Sequence, residues 1–388
     1  MTVTGAISGA VVDPSGQVIP GAGVTLVNEK TGDTRRASTN AVGVFNFVAI
    51  LPDTYSIRIE RNGFKTYQQT GIVLTANGRV DLGNVQIQIG AVTETISIEA
   101  QAAAIQTDSS EKSAELSNTQ LNTLTTRGRE VVSLLRTIPG VQYQADQDSM
   151  GGSYGTGTPS IAGTSNNTNT LAVDGVVSND VGTPNVFSSV TTMDAIGEVK
   201  VIINGYQAEY AGNGGPVVEV VTKSGGKEYH GTGYWYVRNE ALNANDFFNN
   251  RKNVKLPEYR YNTEGASLGG PIYIPKIWNT QKNLLFGFYN IEMLQSAIPG
   301  TLTNYTMPTQ LERNGDFTKS PVKINSPGGA PYPNNMVPVT QLNPNGLALL
   351  KTLPLPNFTN TAISGGNYNY QIQETLRNPK RSQLFKID

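Results

Sequence analysis

His230 is the only histidine in the chain, and cysteine is absent. Disulfides and thiolate chemistry are therefore excluded, and a zinc centre would have to form almost without its usual ligands. Carboxylates remain as possible acid–base groups. Asp146 with Asp148, and Glu209 with Glu219, could pair in space, but solvated or hydrogen-bonded structural roles are expected for both pairs. Asp174 lies in Leu171-Ala172-Val173-Asp174-Gly175-Val176, which predicts two strands joined by a tight Asp-Gly turn. It reads as a turn residue rather than an acid. No phosphate-binding loop, zinc-protease helix, nucleophile elbow or dinucleotide fingerprint is present in the sequence. The expectation is a protein that is not an enzyme and needs no cofactor and no metal.

The informative stretch is AEYAGNGGPVVEVVTKSG, residues 208–225. Its valines favour a strand. Gly212, Gly214 and Gly215 would let backbone approach another surface closely. Tyr229, His230, Tyr234, Trp235 and Tyr236 follow at once. The chain carries 29 basic and 30 acidic residues, with 15% charged overall. That balance lacks the basic stripe of a nucleic-acid binder, so no nucleic-acid partner is expected. With 41 glycines and 21 prolines, turns should be many and helices few. No apolar run approaches the roughly 18 residues of a membrane helix.

The elements that must position these residues begin at residue 4. Turn signals at Asp13-Pro14-Ser15-Gly16, Lys30-Thr31-Gly32-Asp33, Leu51-Pro52-Asp53 and Asn62-Gly63 separate short alternating segments. Tyr55, Ile57 and Ile59 share one face against Ser56, Arg58 and Glu60, and Val85, Ile87 and Ile89 alternate with glutamines. This predicts a small β-sandwich over 1–92. Gly9-Ala10-Val11-Val12-Asp13, Pro20-Gly21-Ala22-Gly23-Val24, Gly43-Val44-Phe45 and Leu51-Pro52-Asp53-Thr54-Tyr55 resemble the carboxypeptidase regulatory-like domain. That resemblance implies a transthyretin-like, carbohydrate-binding-like sandwich, with no peptidase activity.

Residues 93–115 are polar and alanine-rich, and read as a linker. Within it, Glu94-Thr95-Ile96-Ser97-Ile98-Glu99-Ala100 is either the last strand of the sandwich or a strand for a partner. Val131, Leu134, Leu135 and Ile138 then follow helical spacing, ended by Pro139-Gly140. A strand is predicted over Ile196–Ile202. Leu135-Arg136-Thr137-Ile138-Pro139-Gly140-Val141, Ile161-Ala162-Gly163, Val173-Asp174-Gly175-Val176 and Ile196-Gly197-Glu198-Val199, with the 208–225 segment, resemble the plug domain of TonB-dependent outer-membrane receptors of the Oar-like type.

Beyond residue 227, Tyr229, Gly231, Gly233, Trp235 and Val237 alternate with Glu228, His230, Thr232, Tyr234, Tyr236 and Arg238. An apolar face against a polar one over about ten residues is the pattern of a transmembrane β-strand. Tyr229 and Trp235 would join an interfacial aromatic girdle. Further strands are predicted at Tyr261–Gly270, Asn283–Ile291 and from Arg381, with long connections at 239–259 and 293–378. With no signal peptide and about four wall strands, the chain is expected to be a piece of a longer receptor, since the resemblance implies a barrel of about 22 strands.

The fold class expected is mainly β: a transthyretin-like sandwich (1–92), a linker (93–115), an α+β plug (116–226) and the first strands of a transmembrane β-barrel (227–388). The resemblance implies the bacterial outer membrane, with the N-terminal domain periplasmic. Its partners would be TonB with its inner-membrane energising complex, outer-membrane lipid, and a transported substrate, oligosaccharide or peptide. Residues 94–100 resemble a TonB box, which would bind by β-augmentation. The competing expectation is a surface carbohydrate-binding or adhesion protein that uses the sandwich.

Overall fold

The computed structural model describes residues 3–92, 95–99, 110–124, 129, 131–143, 156–157, 159–182, 186–187, 191–206, 214–251 and 255–388. The first strands are β1 (Gly5–Val12), β2 (Gly23–Asn28), β3 (Thr34–Ser38), β4 (Val44–Ile50), β5 (Asp53–Glu60), β6 (Thr66–Leu74), β7 (Arg79–Gln86) and β8 (Thr95–Glu99). One sheet has the order β4-β1-β7 and the other β3-β2-β5-β6-β8. Between them pack Ile7, Leu26, Phe45, Ile57, Ile59 and Leu74 with their neighbours. The period-2 alternation of β5 is realised: Tyr55, Ile57 and Ile59 are buried and Arg58 is exposed. Ile89 departs from expectation. It is 71% exposed, because β7 ends at Gln86 and only a single bridge to Phe64 holds Ile89.

The stretch expected as a linker contains two strands. β8 runs parallel to β6, with Thr66 opposite Thr95 and Thr70 opposite Glu99. β9 (Lys112–Ser117) opens the next sheet. β8 alternates Ile96 and Ile98 with polar residues, and Ile98 is exposed at the sheet edge. β9 sends Leu116 into the core of its own sheet, with Ala114 packed beside it.

The sheet that β9 opens has five strands in the order Val176–Val177, Thr170–Val173, Val217–Thr222, Ile196–Asn204, β9. The Val217–Thr222 strand lies in the middle, parallel to Thr170–Val173 and antiparallel to Ile196–Asn204. A central strand is covered on both faces, which explains its near-continuous valines. Val217, Val218 and Val220 are buried, and so are Glu219 and Thr222. The predicted helix is one α-turn, Val131–Leu134, continued as a 3-10 turn over Leu135–Thr137. Val131, Leu134, Leu135 and Ile138 are all buried against this sheet's core. Gly140, at φ +84°, follows Pro139 where the run stops.

The wall strands are His230–Asn239, Arg260–Pro271 and Phe286–Pro299, neighbours in that order, with Lys380–Ile387 antiparallel to Phe286–Pro299. The third begins at Phe286 rather than Asn283 because the Asn283 and Leu284 amides donate to the Asn279 side-chain oxygen at 2.9 and 3.0 Å, closing a turn. It also runs on to Pro299, pairing Ala297–Pro299 with Thr375–Arg377, so the long connection starts later than residue 293.

The chain divides into two compact units. The first comprises residues 1–235, 263–294 and 380–388. The second comprises 236–262 and 295–379. In the second unit, the Arg313 guanidinium donates to the carbonyls of Leu350, Leu353 and Pro354 at 2.7, 2.9 and 2.6 Å. A Thr309–Glu312 capping box fixes the short helix that carries Arg313. No helix among the described residues is long and apolar enough to cross a membrane, which leaves crossing by strands open.

Candidate functional site

The Asp174-Gly175 turn is built as predicted. Val173 pairs with Val176, and φ is +47° at Asp174 and +81° at Gly175, the sign that a two-residue hairpin turn of type I′ requires at both positions. Two carboxylates hold it. Glu219 accepts from the Gly175 amide at 2.9 Å. Asp174 accepts from the Thr222 amide at 2.9 Å and from the Thr222 hydroxyl at 2.5 Å. The Lys386 ammonium lies 3.5 Å from Asp174 and donates to the Thr222 carbonyl at 3.2 Å. The end of the central strand is therefore tied to its neighbouring turn and to the Lys380–Ile387 wall strand. Burial first, then the nearby Asp174 charge, pushes the Glu219 carboxyl up to about 7.

From Thr222 the chain reaches the wall through Lys223-Ser224-Gly225-Gly226. A Cβ on Gly225 would lie 2.6 Å from the Gly287 carbonyl and 2.8 Å from that of Gly270. Backbone thus crosses backbone here, and only glycine fits. The sequence had placed the close approach at Gly212, Gly214 and Gly215. Gly215 does make one, against the Thr168 carbonyl and hydroxyl at 2.5 Å. Gly214 approaches none of the described residues, and its requirement is conformational, at φ +72°. Gly212 lies outside the described residues, as do Glu209, Asp146 and Asp148. The signal overlooked was glycine within predicted strands, at Gly270 and Gly287.

The wall strands meet the residues around the 129–194 segment through polar groups. The Tyr234 hydroxyl donates to Glu292 at 2.7 Å. The Arg129 guanidinium sits 4.9 Å over the Tyr234 ring and pairs with Asp194. The Thr192 hydroxyl donates to the Asn290 side-chain oxygen at 2.7 Å, both residues being buried. One residue after Tyr234, Trp235 is 68% exposed. Tyr229 is also exposed, with its hydroxyl donating to the Pro271 carbonyl at 2.8 Å. His230 is exposed beside Glu228. Among the described residues no cluster of three or more His, Asp or Glu side chains is placed to hold a metal ion.

A buried ionic cluster, missed in the sequence, joins the sandwich to the five-stranded sheet that contains β9. Ala76, fully buried in the turn before β7, donates its amide to Glu198 at 3.0 Å and accepts from the Lys200 ammonium at 2.9 Å. Lys200 also pairs with Glu111 at 2.7 Å. Glu115 and Glu219 stand opposite Lys200 on the flanking strands. One lysine thus faces several carboxyls. Burial, then the Glu115 charge, pushes Glu198 up to about 7, and burial raises Glu115 as well.

The segment resembling a TonB box forms the outermost strand of the sandwich's larger sheet. Ile96 is half-buried and Ile98 is 44% exposed. Glu94 and Ala100 lie outside the described residues, and Thr95, Ile96, Ser97, Ile98 and Glu99 form the strand.

Three family models match in succession: a carboxypeptidase regulatory-like domain over residues 6–88, a TonB-dependent receptor plug domain over 106–216 and an outer membrane beta barrel domain over 221–388. The TonB-dependent transporter Oar of Myxococcus xanthus is 25% identical over 294 residues, covering 70% of this chain and 26% of that protein. The chain thus spans about a quarter of the length of the curated relative it matches. Among solved structures, the outer membrane transporter YddB of Escherichia coli is 15% identical, covering 50% of this chain and 27% of that one, with a TM-score of 0.35. The siderophore receptor PirA of Acinetobacter baumannii is 16% identical, covering 48% and 25%, with a TM-score of 0.33.

Proposed function

We propose that this chain, which carries in order the regulatory-like, plug and barrel domains of TonB-dependent outer-membrane receptors, serves in uptake across the outer membrane, with the plug as gate and TonB as the source of force. The observation that carries this reading is the Asp174–Thr222–Lys386 tie. It fixes the last plug strand to a wall strand a few residues before the chain itself enters the wall. A sheet so fastened can obstruct a lumen, yet it is held by hydrogen bonds and one partly buried ion pair that a mechanical load can break.

Residues 94–100 are the proposed TonB-binding strand. Glu94-Thr95-Ile96 begins with an acid and a threonine, and the aliphatic residues Ile96 and Ile98 alternate. Added to a partner's sheet edge, such a strand gains main-chain hydrogen bonds for grip and alternate side chains for register. The transported substrate is proposed as an oligosaccharide or a peptide, bound at the outer face. The carbohydrate-binding alternative has less support, because Phe45, Phe47, Tyr55 and Tyr67 of the sandwich are buried in its core rather than presented as a platform.

The test is binding of a TonB C-terminal domain to this chain, together with uptake by the full-length receptor carrying Ile96→Pro. Proline removes a main-chain donor. Uptake should be lost while surface expression and substrate binding persist. Unimpaired uptake would remove residues 94–100 from the mechanism.

A further inference from the structure

We infer that the N-terminal sandwich is a brace on the plug. It docks across both the plug sheet and the crossing into the wall, and it must come away before that sheet can shift. The docking stands on the contacts below, and the release rests on the uptake reading above.

The first contact fits one peptide unit to two side chains. Thr75-Ala76-Asn77-Gly78 is the turn before β7, closed by the Gly78 amide donating to the Thr75 carbonyl at 2.9 Å. The Ala6 amide donates to the Gly78 carbonyl at 3.0 Å and pins the turn to β1. The amide and carbonyl of Ala76 turn to the plug instead, the amide donating to Glu198 at 3.0 Å and the carbonyl accepting from Lys200 at 2.9 Å. Glu198 and Lys200 are two residues apart on one strand and so share a face. Val199 and Val201, on the other face, enter the plug's own core. Lys200 is 3% exposed. An ammonium so buried needs partners, and the Ala76 carbonyl supplies one beside Glu111.

The second contact is made by the turn between β2 and β3. The Asn28 side-chain oxygen accepts from the Lys30 and Thr31 amides at 2.9 and 2.8 Å, which shapes this turn from within the sandwich. The Lys30 ammonium donates to the Ser224 carbonyl at 2.8 Å, and the Lys30 carbonyl accepts from the Lys227 amide at 3.2 Å. A Cβ on Gly226 would lie 2.9 Å from the Lys30 side chain. Ser224 to Lys227 is the crossing at which Gly225 meets the Gly270 and Gly287 carbonyls. One folded domain therefore grips both the plug sheet and its exit to the wall.

The grip is built to be released. Among the described residues the sandwich core and the plug core are separate clusters with no member in common. Hydrogen bonds and an adjoining ion pair make the two contacts. Domain interfaces of that polar kind permit relative motion, because water can take over the freed donors and acceptors.

Hydrogen exchange on the full chain tests the docking. Ala76→Glu sets a carboxylate against Glu198, and Lys30→Ala removes the second grip at an exposed residue. The Ala76 and Lys227 amides should be protected in the unmodified chain. Because one domain makes both contacts, each variant should loosen the contact it does not touch. Ala76→Glu should speed exchange at Lys227, and Lys30→Ala at Ala76, by roughly tenfold or more, with Ile57 and Ile59 of β5 still protected. Loosening confined to the altered contact would overturn the brace. If Ala76→Glu deprotects β5 as well, the Lys30→Ala arm decides. The release is tested by a lock. The chain has no cysteine, and Lys30→Cys with Gly226→Cys should form a disulfide on oxidation. In the full-length receptor, uptake should stop on oxidation and return on reduction, with substrate binding at the surface unchanged. Uptake that continues with the disulfide formed would overturn the release. Absence of uptake in the unmodified receptor would instead overturn the uptake reading, and the exchange rates would still decide the docking.

Discussion

Asp174 and Thr222 are joined twice, the carboxylate of one receiving both the amide and the hydroxyl of the other, at 2.9 and 2.5 Å. One residue thereby serves two purposes. At φ +47° Asp174 makes the hairpin turn, and its side chain stops the central plug strand at the point where the chain leaves for the wall.

Replacing Asp174 separates these roles. Asp174→Asn keeps a residue that tolerates a left-handed backbone and retains one acceptor, but it loses the charge facing Lys386. Asp174→Ala loses both acceptors and the conformational tolerance. Urea unfolding should show the alanine variant destabilised by about 1–3 kcal/mol, with asparagine in between. Equal stability of all three would show that the tie carries no load.

The glycines give a paired prediction. Gly225→Ala places a methyl group against two carbonyls and should cost about 1–3 kcal/mol, as overpacking does. Gly214→Ala meets no atom of the described residues and should show the smaller cost of its positive φ. Thermal unfolding of the two variants should rank them in that order. The reverse ranking would contradict the backbone crossing described at Gly225.

Stability should also fall as pH rises. Glu198 and Glu219 titrate at about 7 in the folded chain, above their ordinary value of 4.5. The folded state therefore holds more protons than the unfolded state between these values, and stability falls with pH. The associated stabilisation is complete below pH 4.5 and is lost as pH passes 7. Denaturation at pH 4.5 and pH 8 should differ on the order of a few kcal/mol, with a shallower slope in Glu219→Gln. A flat profile would contradict the burial of these carboxyls.

For the wall, Tyr234→Cys and Trp235→Cys should label oppositely. Tyr234 faces Arg129 and Glu292, whereas Trp235 faces away and is exposed. In the full-length receptor, an aqueous thiol reagent should modify position 234 and a lipid-phase reagent position 235. Exchange of the two patterns would move the strand register by one residue.

What the sequence revealed and what it hid divide along physical lines. Periodic burial was legible: Tyr55, Ile57 and Ile59 in the sandwich, and Val131, Leu134, Leu135 and Ile138 in the plug, lie where their spacing put them. The Asp-Gly turn was legible because few dipeptides suit two positive φ values. The Thr95–Glu99 segment was legible as a strand, given as either the sandwich's last or a partner's, and it pairs with β6. β9 was not, because Lys112–Ser117 carries just Ala114 and Leu116 as apolar residues at the end of a polar, alanine-rich stretch. Nor was the Ala76–Glu198–Lys200 cluster, in which Ala76 lies more than a hundred residues from Glu198 and Lys200 and meets them only after two sheets have formed. The backbone crossing at Gly225 was hidden for the same reason, because its neighbours Gly270 and Gly287 come from separate strands.

The central claim, that this plug must move against its wall for uptake, is tested most directly by clamping the two. The Thr192 and Asn290 side chains meet at 2.7 Å inside a buried contact. In the full-length receptor, Thr192→Cys with Asn290→Cys should support energised uptake when reduced and lose it when oxidised, with substrate binding at the surface retained in both states. Uptake that continues undiminished with the disulfide demonstrably formed would contradict the account.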